Sequence, residues 1–227
     1  AGVLIAVLNI GKRGAATVTP APHSPGGVPN IVIDNGPGAS TDPLKPDYNI
    51  EPLRIPDFEL VDQDGRPVTQ EAFKNNVTVV SFFFTRCTFI CPALTGATIG
   101  LTQKLKDTPV RFLSISVDPE NDTPEVIKKY AADHSADPAR WSFLTGKKDV
   151  VWSMLRSGLK WGIEERPEER IMFNDGSSMS NIRHPGWFAL VGPDGRVLAV
   201  YQASEDEKLE QLMARARSIL RVMKKTG

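Results

Sequence analysis

VTVVSFFFTRCTFICP, residues 77–92, leads an apolar segment directly into a pair of cysteines, the only two in the chain. β-Branched and aromatic residues dominate its first half, which favours a strand buried on both faces. Pro92 suits the first turn of a helix, where its missing N–H costs nothing, and an apolar stripe at helical spacing continues after it. Cys87 and Cys91 are therefore predicted to lie in a turn between a buried strand and a helix.

The position of these two cysteines favours reactive thiols. The free N–H groups and positive dipole end of a helix N-terminus stabilise anions, so a cysteine there tends to have a lowered pKa, and Arg86 adds a nearby positive charge. Residues four apart on a helix lie about 5–6 Å apart at Cβ, so a small rearrangement could bring both sulfurs to disulfide distance or onto one metal ion. The pair could exist as a dithiol, a disulfide or a metal complex.

The composition suits a soluble globular protein without a polyanionic partner. With 227 residues and 41% hydrophobic content, the chain can bury a sizeable core, and its 27 Lys plus Arg balance its 27 Asp plus Glu. This balance gives no support to nucleic-acid binding. Two cysteines are too few for a disulfide framework or a four-cysteine zinc site, so a redox pair or a metal-binding pair remains.

Residues 1–49 are predicted to be a tail before the domain. Residues 11–49 are rich in Pro and Gly without sustained periodicity, which indicates a mostly irregular tether. The apolar start AGVLIAVLNIG is shorter than the roughly 20 residues that a membrane-spanning helix needs. We expect residues 1–10 to be the remnant of a trimmed anchor or signal, or else a disordered apolar terminus. The domain is expected to occupy residues 50–227.

The order of the predicted elements is that of a thioredoxin-like α/β sandwich, a mixed central sheet flanked by helices, with an N-terminal β-hairpin extension. Asp64-Gly65 and the sequence GPDG at residues 192–195 mark hairpin turns. The strand, helix, strand unit around the cysteines implies parallel pairing. The expected strands are residues 77–84, 110–117, 141–144, 187–191 and 197–201, and the expected helices are residues 92–106, 123–134, 148–157 and 205–223. Residues 160–183 show no clear periodicity and are expected to be a long polar loop, a feature that is more often functional than idle.

The segments FFFTRCTFICPALT and SISVDPENDTPEVIKKYAADH, together with a late histidine before a strand and PDGRVL, resemble the SCO/SenC family of copper proteins. The resemblance covers about residues 50–225. It implies an exported, membrane-tethered protein on the periplasmic side of the inner membrane. It also implies a copper site formed by Cys87, Cys91 and His184, and delivery of copper to the dinuclear centre of cytochrome c oxidase. The implied partners are subunit II of the oxidase or another copper acceptor, and a thiol-disulfide reductant.

The donor set that this resemblance implies suits a copper carrier. Two thiolates and an imidazole are a soft set that favours Cu(I), while the imidazole keeps Cu(II) acceptable. A three-ligand site leaves a position open for an incoming ligand. Oxidation of Cys87 and Cys91 to a disulfide would remove two ligands and expel the ion, which would couple redox state to metal loading.

The choice of histidine rests on its context. The family often shows Asp-His-Ser around its histidine, and this chain has that triplet at His134, but His134 ends a predicted helix and no strand follows it at once. His184 precedes the strand at 187–191 and is preferred. Arg183 stands where the family usually has Asp, and its positive charge should disfavour Cu(II). Asp118 could bring a carboxylate near the cysteines, although a helix-cap or turn role is the simpler interpretation.

Other functions stay open at this point. The placement of the thiols and Arg183 also fits a copper-independent thiol-disulfide oxidoreductase that acts on partner proteins. A thiol peroxidase is less well supported, because Thr85 lies two positions before Cys87, whereas peroxiredoxins have a spacing of three. A purely structural disulfide would close so short a loop that it would add little stability.

Overall fold

The computed structural model describes residues 42–47 and 53–226. The predicted tail and its possible anchor at residues 1–10 lie largely outside them, and the domain boundary at residues 49/50 stays a prediction. The described strands are β1 Glu59–Asp62, β2 Pro67–Thr69, β3 Thr78–Phe83, β4 Arg111–Ser116, β5 Trp141–Thr145, β6 Glu164–Met172, β7 Ser178–Arg183, β8 Trp187–Val191 and β9 Val197–Gln202. The α-helices are α1 Cys91–Lys104, α2 Pro124–Asp133, α3 Lys148–Ser153 and α4 Asp206–Thr226.

The central sheet confirms the predicted fold class. Among the described residues its strands lie in the order β2-β1-β5-β4-β3-β8-β9. β3 pairs with β4 in parallel, and so does β4 with β5, whereas β8 is antiparallel to β3 and β9 is antiparallel to β8. Every residue of β3 is buried, as expected for a strand covered on both faces. β1 and β2 form the predicted N-terminal hairpin, with Gly65 at a φ of 76° in its turn.

The helices begin where the sequence indicates. Thr123 caps α2 by accepting a hydrogen bond from the Val126 N–H, and Pro124 occupies the first helical position. The buried stripe of this short helix runs through Ile127 and Ala131, and Val126 is exposed. None of the helices that the structure describes is long and apolar enough to cross a membrane.

The expectation of a loop at residues 160–183 is wrong. β6 and β7 pair there as an antiparallel two-stranded sheet, within the part of the chain that the structure describes. β6 carries charged side chains along much of its length and has an irregular register between Arg166 and Arg170, so it shows neither apolar alternation nor a helical period. The contacts of β6 are mainly polar: Glu169 forms an ion pair with Arg183 and accepts a hydrogen bond from Asn181, both on β7, and Arg166 pairs with Glu164 within β6.

The helix expected at residues 148–157 is only partly α-helical in the structure. Its α-helical part, α3, ends at Ser153, and the chain continues as a π-helical segment at Met154–Leu159. Gly158 lies in this segment against Pro56 and the carbonyl oxygen of Arg54, where a Cβ would come within 2.7 Å of that oxygen. The close backbone approach accounts for glycine at this position.

Residues 42–47 pack against the edge of the domain. The Asp47 N–H donates a 3.1 Å hydrogen bond to the Leu198 carbonyl of β9, and the Asp47 carboxylate forms a buried ion pair with Arg215 of α4. The Arg215 guanidinium also donates to the carbonyl of Lys45. Further along, the Leu53 carbonyl accepts a hydrogen bond from Val197 N–H at 2.9 Å. The described part of the tail is therefore fixed to β9 and α4.

Candidate metal centre

The two cysteines lie in the turn between β3 and α1, as predicted. The backbone N–H of Cys87 donates to the carbonyl of Phe84 at 3.2 Å, which turns the chain immediately after the strand. Cys91 is the first residue of α1, and Pro92 follows it in the first turn of the helix. Both thiols are free, with Cys87 8% exposed and Cys91 1% exposed. Cys87 is thus the more accessible sulfur.

The structure brings His184 to this turn. Its Nε2 atom lies 3.7 Å from Sγ of Cys91, and the residue is 5% exposed. Its Nδ1 atom lies 3.2 Å from the carbonyl oxygen of Pro185, which accepts a hydrogen bond. With the proton on Nδ1, the lone pair of Nε2 faces the sulfur of Cys91. The Phe84 ring meets the imidazole edge-on, with the ring centroids 6.1 Å apart.

The loop that carries His184 packs directly on the cysteine turn. A Cβ added to Gly186 would lie 2.2 Å from Cδ1 of Ile90, so the absence of a side chain at Gly186 allows this approach. Ile90 itself lies between the two cysteines in sequence and remains partly exposed, as does Phe89 beside it. The contact between Gly186 and Ile90 therefore helps to hold the histidine loop next to the thiols.

The two thiols differ in acidity. A hydrogen bond from the Cys91 thiol, assisted by backbone N–H groups of the turn, lowers the pKa of Cys87 to about 6 against the opposing effect of burial. Burial is the main cause that raises the pKa of Cys91, and the neighbouring Cys87 adds to it. Near neutral pH the turn therefore presents a thiolate at Cys87 and a thiol at Cys91.

The charges around the turn are largely paired. Arg86 Nη2 lies 3.2 Å from Oδ2 of Asp118, and its guanidinium lies 5.4 Å from the centre of the Phe173 ring. Asp118 thus reaches the cysteine turn through Arg86. Arg183 forms an ion pair with Glu169 of the neighbouring strand, so part of its positive charge is compensated. The expected electrostatic penalty of Arg183 on a bound cation is correspondingly smaller.

Asp122, between β4 and α2, contacts the start of the cysteine turn in a role that the sequence does not reveal. Its buried carboxylate accepts hydrogen bonds from the N–H of Thr85 at 3.1 Å and from the hydroxyl of Ser116 at 2.5 Å. In the sequence it stands before a Thr-Pro helix start, where an aspartate is expected to act as a cap. Thr123 provides that cap, which leaves the Asp122 carboxylate for the turn.

His134, the alternative histidine, has its contacts elsewhere. Its Nδ1 atom lies 2.8 Å from the carbonyl oxygen of Tyr130, and its ring stacks on the Tyr130 ring with the centroids 4.2 Å apart. It caps the C-terminus of α2. These contacts agree with the preference for His184 over His134.

The donor atoms suit copper, although they are not gathered around one point. Within residues 42–47 and 53–226, no three His, Cys, Asp or Glu side chains are arranged closely enough to hold a metal ion together. Cys91 links the donors, because its sulfur lies 3.7 Å from Nε2 of His184 and its thiol lowers the pKa of Cys87. Two sulfurs and a correctly oriented imidazole nitrogen make a soft set that fits Cu(I). That these residues bind copper stays a prediction.

The buried imidazole predicts an acid-dependent loss of stability. Burial lowers the pKa of His184 from 6.5 to about 4. Between these two pH values the imidazole is protonated in the unfolded chain and neutral in the folded chain. The stability present above pH 6.5 is therefore lost as the pH falls towards 4. From pH 7 to pH 5, we expect the metal-free protein to lose about 2 kcal/mol through this group.

Urea unfolding at both pH values measures this loss. His184→Gln should lose about 2 kcal/mol less than the parent over the same pH interval, and His134→Gln is the matched control for removal of an imidazole. Equal acid sensitivity of the parent and His184→Gln would contradict the assignment to His184.

Comparisons with a family model and with a curated relative indicate the same family. A model of the SCO1/SenC family matches residues 48–221. The SCO1 protein homolog of Bacillus subtilis (strain 168) is 35% identical over 180 residues, which cover 78% of this chain and 84% of that protein.

Solved structures of related proteins agree with the fold. BsSco, a member of the Sco family of cytochrome c oxidase assembly proteins in which a disulfide switch has been identified, is 32% identical with a TM-score of 0.59, covering 78% of this chain and 96% of that chain. ScoI of Bradyrhizobium japonicum, solved with copper bound, is 25% identical with a TM-score of 0.54, covering 72% of this chain and 98% of that chain.

Proposed function

This chain belongs to the SCO1/SenC family, and from that premise we propose that it binds copper at the cysteine turn and acts in the assembly of cytochrome c oxidase. The observation that carries the proposal is the contact between Cys91 and Nε2 of His184, because it joins the distant imidazole to the thiol pair. Two relatives support the proposal: ScoI of Bradyrhizobium japonicum was solved with copper bound, and BsSco is a member of a family of cytochrome c oxidase assembly proteins.

The proposed role is copper delivery to the dinuclear copper centre of the oxidase. Cys87 and Cys91 would supply thiolates and His184 an imidazole, a set that accepts Cu(I) and tolerates Cu(II). The acceptor would be subunit II of the oxidase or another copper-accepting protein. Cys87, the more exposed sulfur with the lower pKa, is the donor best placed to meet an incoming ligand. We also propose that the protein is exported and tethered to the periplasmic side of the inner membrane through its N-terminus.

Loading would be controlled by the redox state of the thiols. A Cys87–Cys91 disulfide removes two of the three donors, so copper would bind only to the reduced protein. A thiol-disulfide reductant is then required as a second partner. BsSco, in which a disulfide switch has been identified, supports this part of the proposal.

A second candidate function rests on the unequal acidity of the thiols. A sulfur with a pKa of about 6 beside a buried thiol with a raised pKa is the arrangement of an attacking and a resolving cysteine. The protein would then be a copper-independent thiol-disulfide oxidoreductase acting on partner proteins. His184 would be dispensable for that reaction.

Titration of the reduced protein with Cu(I) under anaerobic conditions tests the proposal. The parent should bind about one equivalent. His184→Ala should bind about 10- to 100-fold more weakly in competition with a chromophoric chelator, by analogy with the loss of supporting groups at metal sites. His134→Ala is the matched control and should bind like the parent, because its imidazole contacts Tyr130.

Two outcomes would separate the candidates. Copper binding by His184→Ala at the parental affinity would remove His184 from the site. Absence of stoichiometric Cu(I) binding by the parent, together with reduction of a protein disulfide by the metal-free His184→Ala variant, would favour the oxidoreductase.

A further inference from the structure

A cavity of about 340 Å³ lies at the opposite end of β3 from the cysteine turn. Thr78, the first residue of β3, lines this cavity, whereas Cys87 comes after the end of that strand. The rest of the lining comes from β2, from the 3₁₀ helix Gln70–Phe73 and from the N-terminal parts of β4 and β5. A strand of this length spans roughly 17 Å, so the cavity is separate from the candidate metal centre.

The strands that line the cavity contribute side chains from one face of the sheet. Parallel pairing aligns Thr78 with Arg111 and Leu113 with Ser142, and all four residues line the cavity. Side chains of paired residues project from the same face, and so do those of residues two apart on one strand. A guanidinium and two hydroxyl groups, all of them hydrogen-bond donors, therefore share this face with an apolar side chain.

The hydroxyl group of Thr78 has no hydrogen-bond partner in the part of the chain that the structure describes. The residue is 0% exposed, so water does not replace the missing partner at its surface. A buried hydroxyl in this state destabilises the fold, and valine, which has the same shape without the hydroxyl, would avoid the penalty. A ligand oxygen in the cavity would supply the partner that the protein does not.

Arg111 supplies the positive charge that a ligand could use. Its side chain is exposed and takes part in none of the ion pairs among residues 42–47 and 53–226. The other charged residues of the lining are already engaged, because Glu71 lies 3.4 Å from Nζ of Lys74 and Arg140 donates to three backbone carbonyl groups. A guanidinium binds a carboxylate through two parallel hydrogen bonds, which makes a carboxylate the matching ligand group.

We propose that this cavity binds a small organic carboxylate, whose charged group is held by Arg111 and the hydroxyl of Thr78. Its apolar body lies against Val68, Ala72 and Leu113, which also line the cavity. A cavity of this volume lies in the range of small-molecule sites. Inorganic phosphate fits less well, because the aliphatic part of the lining leaves its remaining oxygens without donors. This binding site goes beyond the copper and redox functions and does not depend on them.

Binding is measured by titration of the ¹⁵N-labelled full-length chain, in its reduced state, followed through the backbone amide signals. Benzoate is the probe, benzamide is its neutral counterpart of similar shape, and inorganic phosphate is an anion without an apolar body. We expect benzoate to shift the signals of β2 and of the N-terminal ends of β3 and β4. Benzamide and phosphate should bind at least about tenfold more weakly, because each lacks one of the two matching parts.

Two variants test the residues that hold the charged group. Arg111→Gln should weaken benzoate binding by about 10- to 100-fold, the range for loss of hydrogen bonds to a charged group. Arg170→Gln is the matched control, since Arg170 lies on β6 and donates to Ser178 outside the cavity, and it should bind benzoate like the parent.

Thr78→Val separates a binding role from a structural one. It should weaken benzoate binding by about 3- to 10-fold and, without benzoate, unfold at the same or a higher urea concentration than the parent. A residue that serves only the fold would not combine weaker binding with undiminished stability. Should this variant not fold, Arg111→Gln decides alone, because the exposed Arg111 side chain can be replaced without disturbing the core.

Several results would overturn the proposal. Parental benzoate affinity in Arg111→Gln would exclude the guanidinium, and benzamide or phosphate binding as tight as that of benzoate would exclude an organic carboxylate as the ligand class. Absence of shifts at the cavity up to the solubility limit of benzoate would exclude the site itself. Each of these results leaves copper binding at the cysteine turn untouched, so the two proposals fail independently.

Discussion

Cys91→Ala is expected to weaken Cu(I) binding by the reduced protein on the order of a hundred- to a thousand-fold, an estimate that divides the total affinity of a structural metal site among its ligands. Cys91 is the donor whose sulfur lies 3.7 Å from Nε2 of His184, so its loss removes the link between the imidazole and the thiol pair. Competition with a chromophoric Cu(I) chelator under anaerobic conditions measures the change.

A matched series separates ligand loss from misfolding. Cys91 is almost fully buried, and removal of its sulfur should also cost about 1–2 kcal/mol of stability, which circular dichroism and urea unfolding would report. Cys87→Ala should weaken copper binding with a smaller loss of stability, because Cys87 lies nearer the surface. Parental copper affinity in a folded Cys91→Ala protein would place the metal elsewhere.

Phe82→Ala is expected to destabilise the protein by about 3–5 kcal/mol. Phe82 is 0% exposed on β3, and its ring meets Trp161 edge-on with the centroids 5.9 Å apart. Truncation would leave a cavity beside a strand that has partners on both sides, β4 and β8, so collapse around the gap is restricted. Urea unfolding followed by circular dichroism measures the loss.

Phe89→Ala is the matched control within the same stretch of sequence. Phe89 is 62% exposed between the two cysteines, so its truncation should change stability by less than about 0.5 kcal/mol. A large loss in Phe89→Ala, or a small one in Phe82→Ala, would contradict the packing of this segment. The same pair of variants thus distinguishes the strand that supports the site from the turn that presents it.

The sequence predicts those strands and turns whose amino-acid composition is determined by local requirements, such as burial on both faces of a strand. β3 is largely apolar because it is buried on both faces, with Trp161 against Phe82 and Tyr130 of α2 against Phe83. Asp64-Gly65 and the sequence at 192–195 mark hairpin turns by their backbone requirements. The positions of Cys87, Cys91 and the Thr123 cap follow from equally local rules. These parts of the fold could be predicted because each depends on neighbouring residues.

The remaining features depend on contacts between distant residues. The ion pair of Arg183 with Glu169 joins β6 and β7, and a polar ribbon of this kind has no apolar period that could reveal it. The π-helical segment follows from packing of Gly158 on the chain near Pro56. Asp122 could not be recognised because its hydrogen-bond donors are distant in sequence or on another element, Thr85 shortly after β3 and Ser116 at the end of β4. The imidazole of His184 was found only through the resemblance to a family.

The attachment of residues 42–47 determines where a force on the N-terminal side of the chain would enter the domain. Tension on the chain before Asp47 would pass into the buried Asp47–Arg215 ion pair and the hydrogen bond to Leu198, and from there into α4 and β9. β9 is separated from β3 by β8 in the sheet. A pull on the N-terminal side would therefore act first on this edge of the sheet, which β8 separates from the strand that leads into the cysteine turn.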